Sequence, residues 1–318
     1  TYTEVVAQVG QGGGKDWCLS PDSLIHCFGE IKPISEIRNE EMVLSHLGYK
    51  KVIKTFERFY SGSLIKIYLK YGATIELTPD HQIYVLKKSG GRSAKQLINL
   101  SRKPLWKKAI EIEVGDYFTF PIDTIVEDTQ ILDITKHITI SYIEDNKILF
   151  PIGRNQFKAE FKHPRSIGIP KNIPISKEFL QLLGIYIAEG SIGKHGTTTQ
   201  LTISEKETEL AEKIKENFQI VFGLKAHIII SKLGHSLTVY VNNPIVANLL
   251  TNLAGKKAPN KKFPLWAMRL SLDKQQILLS CYWEGDCSND TPKYKYRTCS
   301  TVSFTLAYQI QQILVRLG

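Results

Sequence analysis

The sequence lacks the features that would place it in a membrane, a secretory route or a zinc-stapled scaffold. No apolar run approaches the ~20 residues a membrane-spanning helix needs, and no signal-peptide core opens the chain. The five cysteines, Cys18, Cys27, Cys281, Cys287 and Cys299, are odd in number and contain no Cys-x-x-Cys pair. Their spacing argues against a disulfide framework or structural zinc and fits a reducing cytoplasm. Acids are in deficit, 31 Asp and Glu against 41 Lys and Arg, leaving a net charge of +10. A polyanion is the expected partner, although charge alone describes only non-specific attraction. With 42% hydrophobic and 23% charged residues over 318 positions, collagen-like, coiled-coil and wholly disordered chains are excluded. The length suits two or three domains. No Met stands at position 1.

Short β-like runs fill residues 18–86, at 42–45, 51–56, 64–69, 74–77 and 82–86, punctuated by glycine-containing turns. Between Lys87 and Lys108 there are eight Lys and Arg and no acid, which reads as a solvated loop. Strand signals return at 109–121, and 124–175, with four prolines, reads as a linker or accessory segment. From Ser176 helices alternate with strands: helices at 179–189, 205–222, 244–253, 274–285 and 307–317, strands at 226–231, 236–241 and 294–304.

One helix is repeated. Residues 181–191 (QLLGIYIAEGS) align with 278–288 (LLSCYWEGDCS), equating Gly184 with Cys281, Ala188 with Gly285 and Glu189 with Asp286. The small residues lie one turn apart on one helix face and permit close backbone approach. Each helix then ends on a carboxylate, where the dipole and free carbonyls are already electronegative. Two such acids side by side call for a hard cation, Mg²⁺ with Mn²⁺ as a substitute. Carboxylates, metal and phosphate together make the arrangement of phosphodiester cleavage.

These paired motifs resemble the LAGLIDADG (dodecapeptide) homing endonucleases. The resemblance implies metal-binding, catalytic acids at Glu189 and Asp286, with Cys287 standing where the family has glycine. Lys261-Lys262-Phe263-Pro264 resembles the family's Lys-x-Ile-Pro block and points to Lys261 as an assisting residue, with Lys262 beside it on DNA. Lys293-Tyr294-Lys295-Tyr296-Arg297 alternates base and aromatic; on a strand, Lys293, Lys295 and Arg297 share one face and are expected to contact DNA. The implied fold is α+β with pseudo-twofold αββαββα repeats, 176–270 and a truncated 271–318, monomeric because both motifs lie in one chain.

Cys18-Leu19-Ser20-Pro21-Asp22 resembles the opening block of an intein, Thr78-Pro79-Asp80-His81 its TxxH block, and Val114-Gly115-Asp116-Tyr117 a late strand of the Hint (hedgehog/intein) fold. The resemblance implies an all-β, incomplete splicing domain over 18–123. Its chemistry follows from residue type: the Cys18 thiol attacks the Trp17 carbonyl, His81 protonates the departing nitrogen, and Thr78 holds the scissile peptide or the histidine by a hydrogen bond. The terminal His-Asn and the nucleophile after it are missing from the chain. Splicing is therefore expected to need a complementary C-terminal fragment, with both ends of this chain cut.

Residues 1–17 are then host sequence. Gly10-Gln11-Gly12-Gly13-Gly14-Lys15-Asp16 resembles a phosphate-binding P-loop, displaced by one residue and lacking the magnesium-binding hydroxyl, and suggests a terminase- or helicase-like ATPase host. The expectation is a multidomain intein fragment with an embedded nuclease acting on double-stranded DNA in the cytoplasm. The alternatives are a catalytically dead DNA-binding remnant and a fragment of a P-loop ATPase.

Overall fold

The computed structural model describes residues 2–8, 18–69, 74–86, 103–119, 121–138, 142–149, 168–231, 235–288 and 298–318. The glycine-rich stretch 10–16, Trp17 and the strand cations Lys293, Lys295 and Arg297 lie outside them. The chain divides into two units, Thr1–Asp123 and Thr124–Gly318.

The first unit is built from strands β1 (Tyr2–Gln8), β2 (Leu24–Cys27), β3 (Glu30–Pro33), β4 (Met42–Ser45), β5 (Gly48–Lys51), β6 (Lys54–Tyr60), β7 (Ile65–Ile67), β8 (Ile75–Leu77), β9 (Gln82–Leu86), β10 (Leu105–Lys108) and β11 (Tyr117–Phe118). They form small antiparallel sheets, ordered β3-β2-β4-β5, β10-β9-β11, β1-β6 and β7-β8. Gly48, at φ +87°, supplies the left-handed residue that closes the β4–β5 hairpin. A compact core gathers Cys27, Ile34, Ile37, Val43 and Val52.

Two expectations change here. The end of the supposed loop 87–108 is strand β10, because Trp106 sits opposite Tyr84 with ring centroids 4.9 Å apart and meets His46 edge-on. Such cross-strand aromatic pairs hold a strand in place despite its lysines. The run 109–121 is broken rather than continuous: Ala109–Glu111 is a 3-10 turn and Gly115 adopts φ +101° before β11.

In the second unit, residues 124–175 are more than a linker. They carry strands β12 (Ile131–Asp133), β13 (Tyr142–Glu144), β14 (Lys147–Leu149), β15 (Ile169–Pro170) and β16 (Asn172–Pro174). Leu132, Ile134, Ile148, Ile169, Ile173 and Ile175 are buried in the same core as the helices that follow. Asp128 ties the segment down, accepting from the Ser271 amide and from Lys274.

There follow α1 (Lys177–Glu189), β17 (Gly190–Ile192), β18 (Thr198–Ser204), α2 (Thr208–Phe222), β19 (His227–Ser231), β20 (Ser236–Asn242) and α3 (Pro244–Ala254), then α4 (Leu272–Asp286), β21 (Cys287–Ser288), β22 (Thr298–Cys299) and α5 (Phe304–Leu317). The order from α1 to α3 is thus helix, strand, strand, helix, strand, strand, helix. Side chains cap the starts: Ser176 accepts from the Phe179 amide, and Asn243 from Ile245 and Val246 with Pro244 at the first helical position. Gly223 ends α2 in the left-handed conformation. The four strands assemble as β17-β18-β20-β19, all antiparallel. Alternate residues Leu201, Ile203, Leu237, Val239 and Val241 point into the core against α1, α2 and α3.

The expected strand over 294–304 is described only at Thr298–Cys299, and it ends because Ser303 accepts from the Leu306 amide and starts α5. Cys18, Cys27 and Cys281 are not in disulfides, but Cys299 is disulfide-bonded, and Cys287 is its register partner in the β21–β22 ladder. Odd count and spacing did not foretell this bond; it depends on the chain turning back after α4. Among the described residues no helix is long and apolar enough to cross a membrane.

Candidate functional site

The second unit contains one unusually close helix pair, α1 against α4. A Cβ added to Gly184 would lie 2.6 Å from the Leu278 carbonyl oxygen and 3.0 Å from the Cys281 Cβ. One turn on, a Cβ on Gly285 would lie 2.6 Å from that of Ala188 and 3.0 Å from the Glu189 Cγ. So Gly184 meets Cys281 and Ala188 meets Gly285, the same pairs that the internal repeat equates. Equivalent residues facing each other across two helices is what a twofold relation between them produces. The next equated pair is Glu189 and Asp286, the last residues of α1 and α4. Glu189 is half-buried beside Gly285, so the two helix ends lie together.

Around that junction the electrostatics are those of two helix C-termini. Lys261 is buried, only 5% exposed, rather than lying in a surface loop. Its Nζ donates to the Tyr186 carbonyl at 2.5 Å, in the last turn of α1, and sits 3.5 Å from the centroid of the Tyr186 ring. The Tyr186 hydroxyl donates to the Gly255 carbonyl at 3.0 Å, and burial pushes its pKa up to about 12. Segment 261–263 is fixed by α5: Ser303 donates to the Lys261 carbonyl at 2.6 Å, and the Gln309 side chain pairs with both the amide and the carbonyl of Phe263. Lys262, next in sequence, is exposed.

No group of three or more metal-ligating side chains occurs among the described residues. The donor chemistry at the α1 and α4 ends is nevertheless all hard oxygen: the Glu189 carboxylate, backbone carbonyls of the helix ends and, by sequence, the acid at 286. That set fits Mg²⁺, which takes few carboxylates and keeps several waters.

The strand pattern also presents a face the sequence reading overlooked. Thr198, Gln200, Thr202 and Ser204 of β18 and Ser236, Thr238, Tyr240 and Asn242 of β20 alternate with the buried positions and point away from the core. They interlock through Thr202–Thr238 at 3.1 Å and Thr198–Asn242 at 2.8 Å, while His227 lies 5.5 Å from the Tyr240 ring. The result is an uncharged, hydrogen-bonding sheet surface. Its signal, the alternation in TTQLTIS, was legible.

In the first unit the structure gathers Cys18, Thr78 and His81. The Cys18 amide donates to Thr78 Oγ1 at 3.2 Å, the Thr78 amide to the Cys18 carbonyl at 3.1 Å, and the His81 amide to the Thr78 carbonyl at 3.1 Å. Cys18 and Thr78 are fully buried. Burial holds the His81 imidazole below its ordinary value of 6.5, opposed by a hydrogen bond to the Cys18 backbone and by Asp80. Burial thus favours the neutral imidazole over the imidazolium at His81. A fourth member was missed: Arg58 of β6, whose Nε donates to Cys18 Sγ at 3.2 Å.

No family model matches the chain. It is similar to an uncharacterised protein of Methanocaldococcus jannaschii, 27% identical over 99% of this chain and 39% of that protein. It is 28% identical to the ATP-dependent DNA helicase Hel308 of Thermococcus kodakarensis over 95% of this chain and 27% of the helicase. With the DNA-directed RNA polymerase subunit Rpo1C of M. jannaschii it shares 24% identity over 75% of this chain and 25% of that subunit. The chain thus spans well under half the length of each of these relatives.

Proposed function

We propose that this chain is part of an intein: a cytoplasmic Hint-type protein-splicing domain followed by a LAGLIDADG endonuclease that cuts double-stranded DNA. The observation that carries the nuclease reading is the α1–α4 junction, where the residues equated by the repeat meet in pairs and Glu189 ends one helix beside the other's last turn. Glu189 and Asp286 would hold Mg²⁺ (or Mn²⁺), which when bound supplies Lewis-acid stabilisation of phosphodiester charge. Lys261, buried against the last turn of α1, sets the position and potential of that helix end. The polar face of β18 and β20 would meet base edges and phosphates, and by sequence Lys262, Lys293, Lys295 and Arg297 are the cations to contact DNA beside it.

The splicing reading stands on its own observation. The amide nitrogen that would leave in an N–S acyl shift is the Cys18 nitrogen, and Thr78 accepts its hydrogen bond. The relatives' names say nothing of cleavage or splicing. What their variety supports is a segment carried inside otherwise unrelated proteins, a helicase and an RNA polymerase subunit among them.

The test is incubation of the chain with Mg²⁺ and DNA carrying the uninterrupted host gene, beside Glu189→Gln. A double-strand cut that chelator abolishes, reduced by about 100-fold or more in the variant, is expected for loss of a metal ligand. Equal nicking by both proteins would sink the assignment. DNA binding without metal-dependent cutting would instead favour a dead DNA-binding remnant.

A further inference from the structure

The resemblance to intein blocks singles out Cys18, Thr78 and His81 of the first unit, but none of these three turns a thiol into a thiolate. Cys18 is fully buried, and burial in an apolar setting disfavours the charged form of a thiol. Burial favours the neutral form of His81, which is engaged with the Cys18 backbone. Among the described residues, a cation that touches the sulfur comes from elsewhere. Arg58 Nε donates to Cys18 Sγ at 3.2 Å, from a residue forty positions along the chain. Its strand is not a loose edge: β6 is paired over its full length, residue by residue, with β1, with Glu4 opposite Arg58 in the backbone register. Two other charged groups among the described residues have contacts of their own. Asp80 acts on His81, and the Glu76 carboxylate is paired with Lys66 at 2.5 Å.

We infer that Arg58 is the activating residue of the amino-terminal acyl shift, stabilising the Cys18 thiolate through a charge-assisted hydrogen bond. The inference rests on the splicing reading above. Arginine suits the role because it stays protonated under all working conditions, so it stabilises the thiolate without competing for its proton. The thiol proton passes to solvent. The sulfur then attacks the Trp17 carbonyl carbon, forming the C–S bond while the C–N bond to Cys18 breaks. The freed nitrogen takes up one proton, relayed by the neighbouring His81, and the products are a thioester and an amine. Protons and electrons balance with no further reactant. Thr78 and His81 serve the leaving nitrogen, and Arg58 serves the nucleophile.

The experiment uses the whole chain with Arg58→Gln and Arg58→Lys, folding being checked by circular dichroism. Thiolate absorbance is titrated against pH and assigned to Cys18 by subtracting a Cys18→Ser chain. In parallel, dithiothreitol-driven release of residues 1–17 is followed by mass spectrometry. Arg58→Gln is expected to move the Cys18 titration upward and slow release at neutral pH by about tenfold, recovering in alkali as thiolate forms unaided. Arg58→Lys should fall between. An unchanged titration overturns the inference, and so does a release rate lowered equally at every pH, which is the mark of a structural role. If the unaltered chain releases nothing, the acyl-shift reading fails, while the absorbance titration still decides whether Arg58 controls the sulfur.

Discussion

Gly285 packs against Ala188 so closely that a Cβ on the glycine would lie 2.6 Å from the alanine's own. With Gly184 against Leu278 and Cys281, this brings two helix backbones together over a full turn. Alanine normally favours a helix over glycine by about 1 kcal/mol. At these two positions the sign reverses, because the new methyl meets backbone and Cβ atoms that cannot swing away. Gly184→Ala is expected to destabilise the second unit by about 1–3 kcal/mol, the cost of overpacking. Denaturant midpoints at unchanged slope measure it. A stabilised variant would show that the helices can part.

How much of this was written in the sequence depends on the range of each contact. The small residues of α1 and α4 repeat at helical spacing, so their shared face and the two acids could be read directly. Strand β10 could not, because Trp106 is held by Tyr84 and His46, far away in sequence. Arg58 was invisible for the same reason: nothing in its neighbourhood distinguishes it from any other strand arginine. Lys261 was legible as a residue, but its burial was not, since the groups that enclose it come from α1 and α5.

Acid sensitivity follows from the buried histidines. Burial depresses the pKa of His26 and His81 in the first unit, and that of His137 in the second against an opposing effect of Asp133. A depressed base binds its proton more readily in the unfolded chain. The stability it contributes is therefore complete above the ordinary value of 6.5 and is lost as pH falls through the folded values. The melting temperature of the first unit should drop on acidification through this window, and His26→Asn should flatten the drop. A melting temperature that is level or rises below pH 6.5 would contradict the burial of these rings.

The cysteines should separate into reactivity classes. Burial pushes Cys27 and Cys281 up to about 11, so neither forms much thiolate at neutral pH. Cys299 is blocked by its disulfide. Iodoacetamide on the native chain should label none of these three, while unfolding without reductant exposes Cys27 and Cys281 but leaves Cys299 protected. Peptide mapping reads the outcome. If Cys287 is the bonded partner, as its place opposite Cys299 indicates, Cys287→Ser makes Cys299 alkylatable in the unfolded chain.

The last relation joins stability to activity. Lys261 reaches the end of α1 only because the segment behind it is held by α5, through Ser303 on its own carbonyl and Gln309 on both polar groups of Phe263. Phe263 and Gln309 are fully buried, so water cannot replace the lost partner in Gln309→Leu. Two orphaned backbone groups cost about 2–5 kcal/mol together. On the nuclease reading, the same substitution frees segment 261–263 and lowers DNA cleavage at temperatures where the protein is still folded. Gln309→Glu is the discriminating partner: as a carboxylate it still accepts from the Phe263 amide but has no hydrogen to give the carbonyl. Intermediate loss of both melting temperature and cleavage rate is expected from it. If cleavage stays intact in Gln309→Leu while stability falls, the position of Lys261 does not govern the reaction.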